Sequence, residues 1–247
     1  KEHISDALYA LGFIYQKGKG VFIDYDKAIY YYEEAAKLKN PRAINDLGLL
    51  YYYGEGVEQD FNKAKSLFEE ASKYNYENSF YALGEMYFKG NGVKQNIQEA
   101  IKLYELSGQL KYAPAINHLG YMYEIGIGVN RDYNMARQYY EKAAKYYNSN
   151  AIDNLGCIYR DGLGVAKDLL RAEDLFQKAI DMGFSESYYN LGKLYYENLN
   201  EKYCISRAIH YLEIAAEQNH PLASMLLGKI YYEDINVQKD YKKAKKY

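Results

Sequence analysis

The sequence predicts an all-α protein, a solenoid of about seven helix-turn-helix repeats of 36 residues each. The main observation is that the dipeptide Leu-Gly recurs at one constant interval of 36 residues. Its copies stand at Leu11-Gly12, Leu47-Gly48, Leu83-Gly84, Leu119-Gly120, Leu155-Gly156, Leu191-Gly192 and Leu227-Gly228. A fixed period of roughly 20 to 50 residues is typical of architectures in which each unit stacks on its neighbours.

The first helix of each repeat, helix A, is built around the Leu-Gly pair. Alanine or serine stands four residues before the leucine, an apolar residue follows the glycine by two positions, and a tyrosine follows it by three. In the first repeat these are Ala7, Ile14 and Tyr15, which share one face of a helix. Glycine inside a helix costs up to about 1 kcal/mol, so its recurrence predicts the close approach of a neighbouring helix.

A turn and a second amphipathic helix, helix B, follow helix A. Glycine just past a helix supplies the left-handed conformation that ends it, and five repeats carry Gly-x-Gly-Val at this point, beginning at Gly18, Gly54, Gly90, Gly126 and Gly162. Three residues after the valine, most repeats have an Asp or Asn suited to cap the next helix. These predicted N-caps are Asp24, Asp60, Asn96, Asp132, Asp168 and Asp240. Helix B then carries its own buried stripe, such as Ala28, Tyr32 and Ala35.

The sixth and seventh repeats depart from this pattern. In the sixth, Asn198 and Asn200 replace the turn glycines, and Cys204 stands where the capping Asp is expected; in the seventh, Asn236 replaces the second glycine. Asn tolerates the left-handed region better than most residues, so we expect these asparagines to substitute for glycine. The last two repeats should be the least tightly specified.

Together these motifs resemble the Sel-1-like repeat, a relative of the tetratricopeptide repeat. The shared motifs are Ala-x-x-x-Leu-Gly-x-x-Tyr, Gly-x-Gly-Val, Asp-x-x-Lys-Ala and Glu-x-Ala-Ala, and they cover essentially the whole chain. The resemblance implies a right-handed α/α superhelical solenoid that works as an adaptor or scaffold. Residues 1–247 are expected to form a single array, with repeats beginning near residues 5, 41, 77, 113, 149, 185 and 221. Because the chain opens and stops within predicted helices, we expect it to be part of a longer protein.

Composition and motif spacing argue against several classes of function. The formal charge of −2 comes from 31 basic and 33 acidic residues without a basic stripe, so we expect no nucleic-acid partner. No apolar run approaches the roughly 18 residues of a membrane span, so direct membrane insertion is not expected. His3, His118, His210 and His220 lack the spacing of a metal site. The Gly-x-Gly motif follows a helix, unlike a dinucleotide loop. We expect no metal, no cofactor and no enzymatic activity.

Helix A also has a face directed away from its packed stripe. Relative to Leu11, positions 9, 13 and 16 of the repeat project at about 160°, −160° and 140°. The resemblance implies that this face lines a concave groove, and large aromatic side chains there are suited to binding. The predicted groove residues are Asn45, Tyr52, Tyr81, Phe88, Asn117, Tyr121, Asp153, Arg160 and Tyr189. The alternative is that curvature buries these side chains between neighbouring A helices.

The sequence therefore predicts a non-enzymatic scaffold or adaptor that binds an extended segment of a partner protein in its groove. Asn45 and Asn117 are expected to hydrogen-bond the partner's backbone, and Asp153 with Arg160 to set its charge preference. Two alternatives stay open: a regulatory or substrate-recruiting domain of a larger enzyme complex, such as a kinase or a ubiquitin ligase of endoplasmic-reticulum quality control, and a structural subunit of a large assembly. For the compartment we favour the cytoplasm, with the lumen of the endoplasmic reticulum as the alternative.

Overall fold

The computed structural model describes residues 2–198, 202–233 and 240–247. Within these ranges every regular element is an α-helix and no strand occurs, so the predicted all-α repeat class is confirmed. The helices are α1 (Glu2–Lys17), α2 (Tyr25–Lys37), α3 (Pro41–Tyr53), α4 (Phe61–Ser72), α5 (Glu77–Lys89), α6 (Ile97–Gln109), α7 (Ala113–Ile125), α8 (Tyr133–Ala144), α9 (Ser149–Asp161), α10 (Leu169–Asp181), α11 (Glu186–Glu197), α12 (Lys202–Glu217), α13 (Pro221–Glu233) and α14 (Tyr241–Lys246).

The chain divides into two compact units, Lys1–Asn130 with α1 to α7 and Arg131–Tyr247 with α8 to α14. Odd-numbered helices are the A helices and even-numbered helices are the B helices. Within each unit every helix packs against the next one along the chain. Helix α1 also contacts α3, and α9 also contacts α11. In each unit, one pair of neighbouring A helices therefore touches directly in addition to the contacts between A and B helices.

The core between helices A and B alternates small and large side chains. In α2, Ala28, Tyr32 and Ala35 are fully buried, as the predicted stripe requires. The Tyr32 hydroxyl donates to Oε1 of Gln16 at 2.8 Å, so its polar end is satisfied while its ring fills the core.

The glycines of the Leu-Gly pairs let helices A and B of one repeat approach closely. A Cβ on Gly48 would lie 2.6 Å from Cε1 of Phe68, and one on Gly156 would lie 2.5 Å from Cε1 of Phe176. Both distances are well inside van der Waals contact, so a larger residue would overpack the site. The prediction that these glycines serve helix packing is confirmed for Gly12, Gly48, Gly84, Gly156 and Gly192, whereas a Cβ on Gly228 would lie 3.5 Å from the Ala244 carbonyl oxygen, an ordinary contact.

The turn after helix A contains two left-handed glycines with different tasks. Gly54 has φ 73° and its N–H donates to the Leu50 carbonyl, which ends α3. Gly56, also at φ 73°, packs against the first residue of helix B in the preceding repeat, because a Cβ there would lie 2.2 Å from Cβ of Tyr25. The second glycine therefore joins successive repeats. The equivalent pairs are Gly92 with Phe61, Gly128 with Ile97, and Gly164 with Tyr133.

Helix B begins at the predicted Asp or Asn. The side chain of each predicted cap accepts a hydrogen bond from a backbone N–H two or three residues further on, as Asp60 does from Lys63 at 2.9 Å. Each such cap stabilises its helix by about 1 kcal/mol. Asn40 and Asn148 cap the A helices α3 and α9 in the same way, and the sequence analysis did not anticipate these two.

The end of helix B holds a second left-handed position that the sequence did not reveal. It recurs at 36-residue intervals in the first six repeats, and only one of its six occupants is glycine. Its residues are Lys39 (φ 65°), Asn75 (φ 54°), Lys111 (φ 71°), Tyr147 (φ 57°), Gly183 (φ 83°) and Asn219 (φ 63°). Because lysine and tyrosine do not indicate a left-handed backbone, this position could not be predicted from the residue types.

In the sixth repeat the expected substitution of asparagine for glycine is wrong for Asn198. Its φ is −112°, outside the left-handed region, and its side-chain Nδ2 donates instead to the Leu194 carbonyl at 2.8 Å. Asn200 and Asn236 lie outside the described residues. Helix α12 begins at Lys202, so Cys204 lies within the helix.

Candidate binding site

The face of helix A that the sequence predicts to be open is partly closed by the neighbouring A helices. Four predicted groove residues are buried: Asn45 is 1% exposed, Tyr52 9%, Asp153 5% and Arg160 7%. The prediction that these four side chains are exposed is therefore wrong. The alternative, burial against neighbouring helices, applies to them: Asp153 and Arg160 hydrogen-bond to residues of α11, and Tyr52 packs in one core cluster with residues of α4 and α5.

Hydrogen bonds also join residues about one repeat apart. The Tyr9 hydroxyl of α1 donates to Oδ2 of Asp46 in α3 at 3.1 Å. Nδ2 of Asn91 donates to the Tyr52 hydroxyl at 2.7 Å. These contacts tie neighbouring repeats together along the face expected to be free.

In the second unit, Asp153 and Arg160 belong to one polar network between α9 and α11. Asp153 accepts hydrogen bonds from Oγ of Ser187 at 2.6 Å and from Nδ2 of Asn190 at 2.9 Å. Nη1 of Arg160 donates to Oδ1 of Asn190 at 3.2 Å, and Nε and Nη2 of Arg160 donate to Asp161. Burial raises the pKa of Asp153, although these hydrogen bonds oppose the shift. The network holds the two helices together and its charges are engaged within the unit.

The first unit retains a cleft between α3 and α5, which we call the α3–α5 cleft. Its volume is about 310 Å³. Three predicted groove residues, Asn45, Tyr52 and Tyr81, are brought together in its lining. The apolar and aromatic lining residues are Leu49, Tyr52, Tyr53, Phe68, Tyr81, Ala82 and Tyr112. The polar ones are Asn45, Asn78, Glu85 and Lys89.

The aromatic walls of the α3–α5 cleft are fixed by ring contacts. The ring of Tyr81 lies 5.6 Å from that of Tyr104 and 5.4 Å from that of Tyr112. Tyr53 meets Tyr52 edge-on at 4.9 Å and is 63% exposed at the mouth. Tyr53 is not among the predicted groove residues, because it is the last residue of helix A and stands one position beyond the rows at positions 9, 13 and 16.

Asn45 presents a buried polar atom that has no partner among residues 2–198, 202–233 and 240–247. Its Nδ2 donates to Oδ1 of Asp46 at 3.1 Å, whereas its Oδ1 is buried and accepts no hydrogen bond from these residues. The amide orientation follows from Asp46, whose oxygens accept from both Asn45 and Tyr9. An unpaired buried carbonyl costs about 1 to 3 kcal/mol. Among the described residues, this oxygen is therefore an acceptor whose hydrogen-bonding capacity is unused.

The charged groups of the cleft neutralise each other. Oε2 of Glu85 lies 2.5 Å from Nζ of Lys89, and its Oε1 accepts from the Tyr104 hydroxyl at 2.6 Å. Burial by itself would raise the pKa of Glu85, but the hydrogen bonds from Lys89 and Tyr104 outweigh it and lower the pKa. Glu85 therefore stays ionised and engaged at neutral pH.

A cluster of rings around His118 adjoins the cleft. The His118 ring stacks on Tyr104 at 4.6 Å and meets Phe88 edge-on at 5.0 Å and Tyr121 edge-on at 6.1 Å. Burial lowers the pKa of His118, and the nearby Glu85 opposes the shift. Two predicted groove residues, Phe88 and Tyr121, are thus grouped by a histidine that sequence reasoning passed over, because an isolated histidine carries no spacing signal.

The remaining predicted groove residues are half-buried. Asn117 lies on α7 beside His118. Tyr189, in the second unit, stacks on His220 at 4.5 Å, and Nε2 of His220 lies 2.7 Å from Oε2 of Glu186. This pair stands three repeats after Tyr81 and Tyr112 and reproduces their contact, so the second unit repeats one element of the cleft.

The structure gives no indication of a metal centre or a membrane span in its described ranges. Among residues 2–198, 202–233 and 240–247, no group of three or more His, Cys, Asp or Glu side chains could hold a metal ion. In the same ranges no helix combines the length and apolarity needed to cross a bilayer.

Paired helices, turn glycines and capped B helices at a 36-residue period define a helical repeat protein of the tetratricopeptide-like type. The sequence model of the Sel1 repeat matches residues 5–40, 41–73, 81–112, 113–145, 149–184, 185–220 and 221–247. The chain belongs to the Sel1 repeat family, as the resemblance predicts.

Solved structures with the same fold support this assignment. A Sel1 repeat protein from Oxalobacter formigenes is 28% identical with a TM-score of 0.80, and the match covers 98% of this chain and 95% of that one. An immunity protein from Pseudomonas aeruginosa is 17% identical with a TM-score of 0.61, covering 88% of this chain and 87% of that one; this match concerns the fold alone. No curated protein sequence matches the chain significantly.

Proposed function

We propose that this chain is a protein-binding scaffold in which the α3–α5 cleft, together with Tyr121, binds part of an extended segment of a partner protein. Sel1 repeat proteins generally mediate protein–protein interactions and are typically non-catalytic. The observation that carries the proposal is the cleft itself, since it offers aromatic surface on helices that repeat packing holds rigid.

Two exposed tyrosines make this region suited to a protein partner. Tyr53 is 63% exposed and Tyr121 is 42% exposed, and each stands at the edge of a ring cluster whose other members are packed. Large aromatic side chains on rigid elements lose little entropy on binding and dominate interface energetics. Phe88 and Asn117 are expected to contact the segment beside Tyr121.

The length of the bound segment follows from helix spacing. Helices packed about 9 Å apart place the three A helices α3, α5 and α7 across roughly 18 Å. An extended chain advances about 3.3 Å per residue, so about six residues of the partner would cross this face. Asp153 and Arg160 are left out of the proposal because their polar groups are engaged with α11, and Tyr189 stays a separate prediction for the second unit.

The test is a pair of matched double variants assayed with peptides selected from a random library against the wild-type chain. Replacing Tyr53 and Tyr121 with Ser removes two exposed rings from the proposed site. The control replaces Tyr30 and Tyr74, which are 57% and 41% exposed outside the cleft. Losing two interface rings at more than about 1 kcal/mol each weakens binding roughly 30-fold or more.

The control variant should bind within about twofold of the wild type, and circular dichroism should be helical for both. Equal losses in the two variants, or no loss in the first, would place the binding surface elsewhere and contradict the proposal.

A further inference from the structure

We propose that the α3–α5 cleft takes the indole ring of a tryptophan from the partner, with the indole N–H donating to Oδ1 of Asn45. This inference rests on the proposed binding function and narrows it to one kind of anchoring side chain.

Asn45 provides the cleft with an unpaired acceptor. It lines the cleft and is 1% exposed, and its Oδ1 accepts no hydrogen bond within the described part of the chain. Its Nδ2 is already committed to Asp46. The group that completes this site must therefore donate a hydrogen bond and has no need to accept one. An indole N–H is a donor only, whereas a phenol hydroxyl both donates and accepts.

The charges of the cleft favour a neutral donor. The carboxylate of Glu85 is held by Lys89 and by the Tyr104 hydroxyl, so it offers no unpaired negative charge to an arginine or lysine. A cation entering the cleft would meet the Lys89 ammonium beside Glu85, whereas a neutral donor meets no like charge.

The size and walls of the cleft suit a large planar ring. A volume of about 310 Å³ is at the lower end of ligand sites, which run from roughly 300 to 1,000 Å³, and suits one large side chain. The walls include the rings of Tyr53, Tyr81 and Tyr112, which offer faces and edges to a planar ring. Tryptophan combines such a ring with a single donor and is enriched at interface hot spots.

The composition of the chain shows whether a second copy of it could provide the tryptophan. Residues 1–247 contain no tryptophan, so this segment of a second copy cannot supply the indole.

The experiment is a titration of the ¹⁵N-labelled chain with three small probes, followed by nuclear magnetic resonance. Indole carries the N–H donor, benzothiophene has the same two-ring shape with sulfur in its place, and phenol has one ring and a hydroxyl. We expect indole to shift the Asn45 side-chain amide and the backbone amides of Tyr53 and Tyr81. One neutral hydrogen bond makes indole bind about two- to tenfold more tightly than benzothiophene.

A variant isolates the acceptor. In Asn45→Leu, of similar size, indole and benzothiophene should bind equally, with the benzothiophene affinity kept within about threefold. The matched control is Asn62→Leu, at an exposed position of α4, which should keep the preference for indole. If Asn45→Leu proves unfolded by circular dichroism, the wild-type comparison of the three probes decides alone.

Equal affinities of wild type for indole and benzothiophene, phenol binding as tightly as indole, or shifts lying outside the cleft would each overturn the inference. Selected peptides that depend on Tyr53 and Tyr121 but lack tryptophan would leave the scaffold function standing while this inference fails. Indole binding at Asn45 with no peptide loss in the Tyr53 and Tyr121 variant would instead count against the proposed extended site alone.

Discussion

Gly84 lies against the ring of Tyr104 so closely that a Cβ on the glycine would come within 2.6 Å of Tyr104 Cε1. The glycine belongs to helix A and the tyrosine to helix B of the same repeat. The two helices can pack this closely because residue 84 has no side chain. The same relationship holds for Gly12 with Tyr32, Gly48 with Phe68, and Gly156 with Phe176.

Replacing Gly84 with Ala is therefore expected to lower the free energy of unfolding by about 1 to 3 kcal/mol, because overpacking outweighs the better helix propensity of alanine. Gly228 is the matched control: the nearest atom to a Cβ there is the Ala244 carbonyl oxygen at 3.5 Å. Gly228→Ala should be neutral or stabilising. Urea denaturation measures both, and a Gly84→Ala variant as stable as the wild type would contradict the packing role.

At the second glycine of the turn, backbone strain and overpacking can be measured separately. Gly92→Ala combines left-handed strain at φ 68° with a Cβ only 2.3 Å from Cβ of Phe61, whereas Gly20, at φ 77°, has nothing within 4 Å. Gly20→Ala should cost about 1 kcal/mol from strain alone, and Gly92→Ala about 2 to 4 kcal/mol once overpacking is added. Equal losses in thermal denaturation would mean that this glycine does not join successive repeats.

The left-handed position at the end of helix B predicts a stabilising change. Tyr147 has φ 57° and is 82% exposed. Strain of about 1 to 2 kcal/mol at a non-glycine residue exceeds the roughly 0.5 to 1 kcal/mol that glycine loses in entropy. Tyr147→Gly should therefore raise the melting temperature, while Tyr146→Gly, next to it and outside the left-handed region, should lower it. A drop in both would show that the Tyr147 ring stabilises more than its backbone strain costs.

The buried His118 predicts a dependence of stability on pH. Burial lowers the pKa of His118, with Glu85 opposing and Lys89 adding to the shift, so the folded state binds fewer protons than the unfolded state below the ordinary pKa of 6.5. The neutral His118 therefore leaves the folded state fully stable above pH 6.5. The free energy of unfolding decreases as the pH falls from 6.5 toward the lower pKa that His118 has in the folded state. Glu85 does not interfere, because its pKa is lowered from 4.5 and it stays ionised between pH 7 and 5.

His118→Phe keeps a ring against Tyr104 and removes the titration. Urea denaturation at pH 7, 6 and 5 should show wild type losing more stability than this variant. Parallel losses would assign the pH dependence to other groups.

The period and the local signals of the sequence suffice for the helices, the Asp and Asn caps of the B helices and the glycine turns. A cap such as Asp60 and a turn glycine such as Gly54 act within a few residues, so their physics is contained in the local sequence. The close packing at the Leu-Gly pairs is also predictable from the sequence, because a glycine that recurs inside a helix indicates the close approach of a neighbouring helix. The predictions fail where the signal is weak, as at Tyr147, whose side chain does not indicate a left-handed backbone.

The exposure of the outer face of helix A was decided by the tertiary structure alone. Asn45 and Tyr121 both come from rows that point away from the Leu-Gly stripe, yet Asn45 is 1% exposed and Tyr121 is 42% exposed. Periodicity fixes the direction of a side chain from its own helix, but burial depends on what the next helix A places against it, about 36 residues further along the chain. The roles of Glu85 and His118 in the site could not be predicted for the same reason, because their contacts form only when the repeats stack.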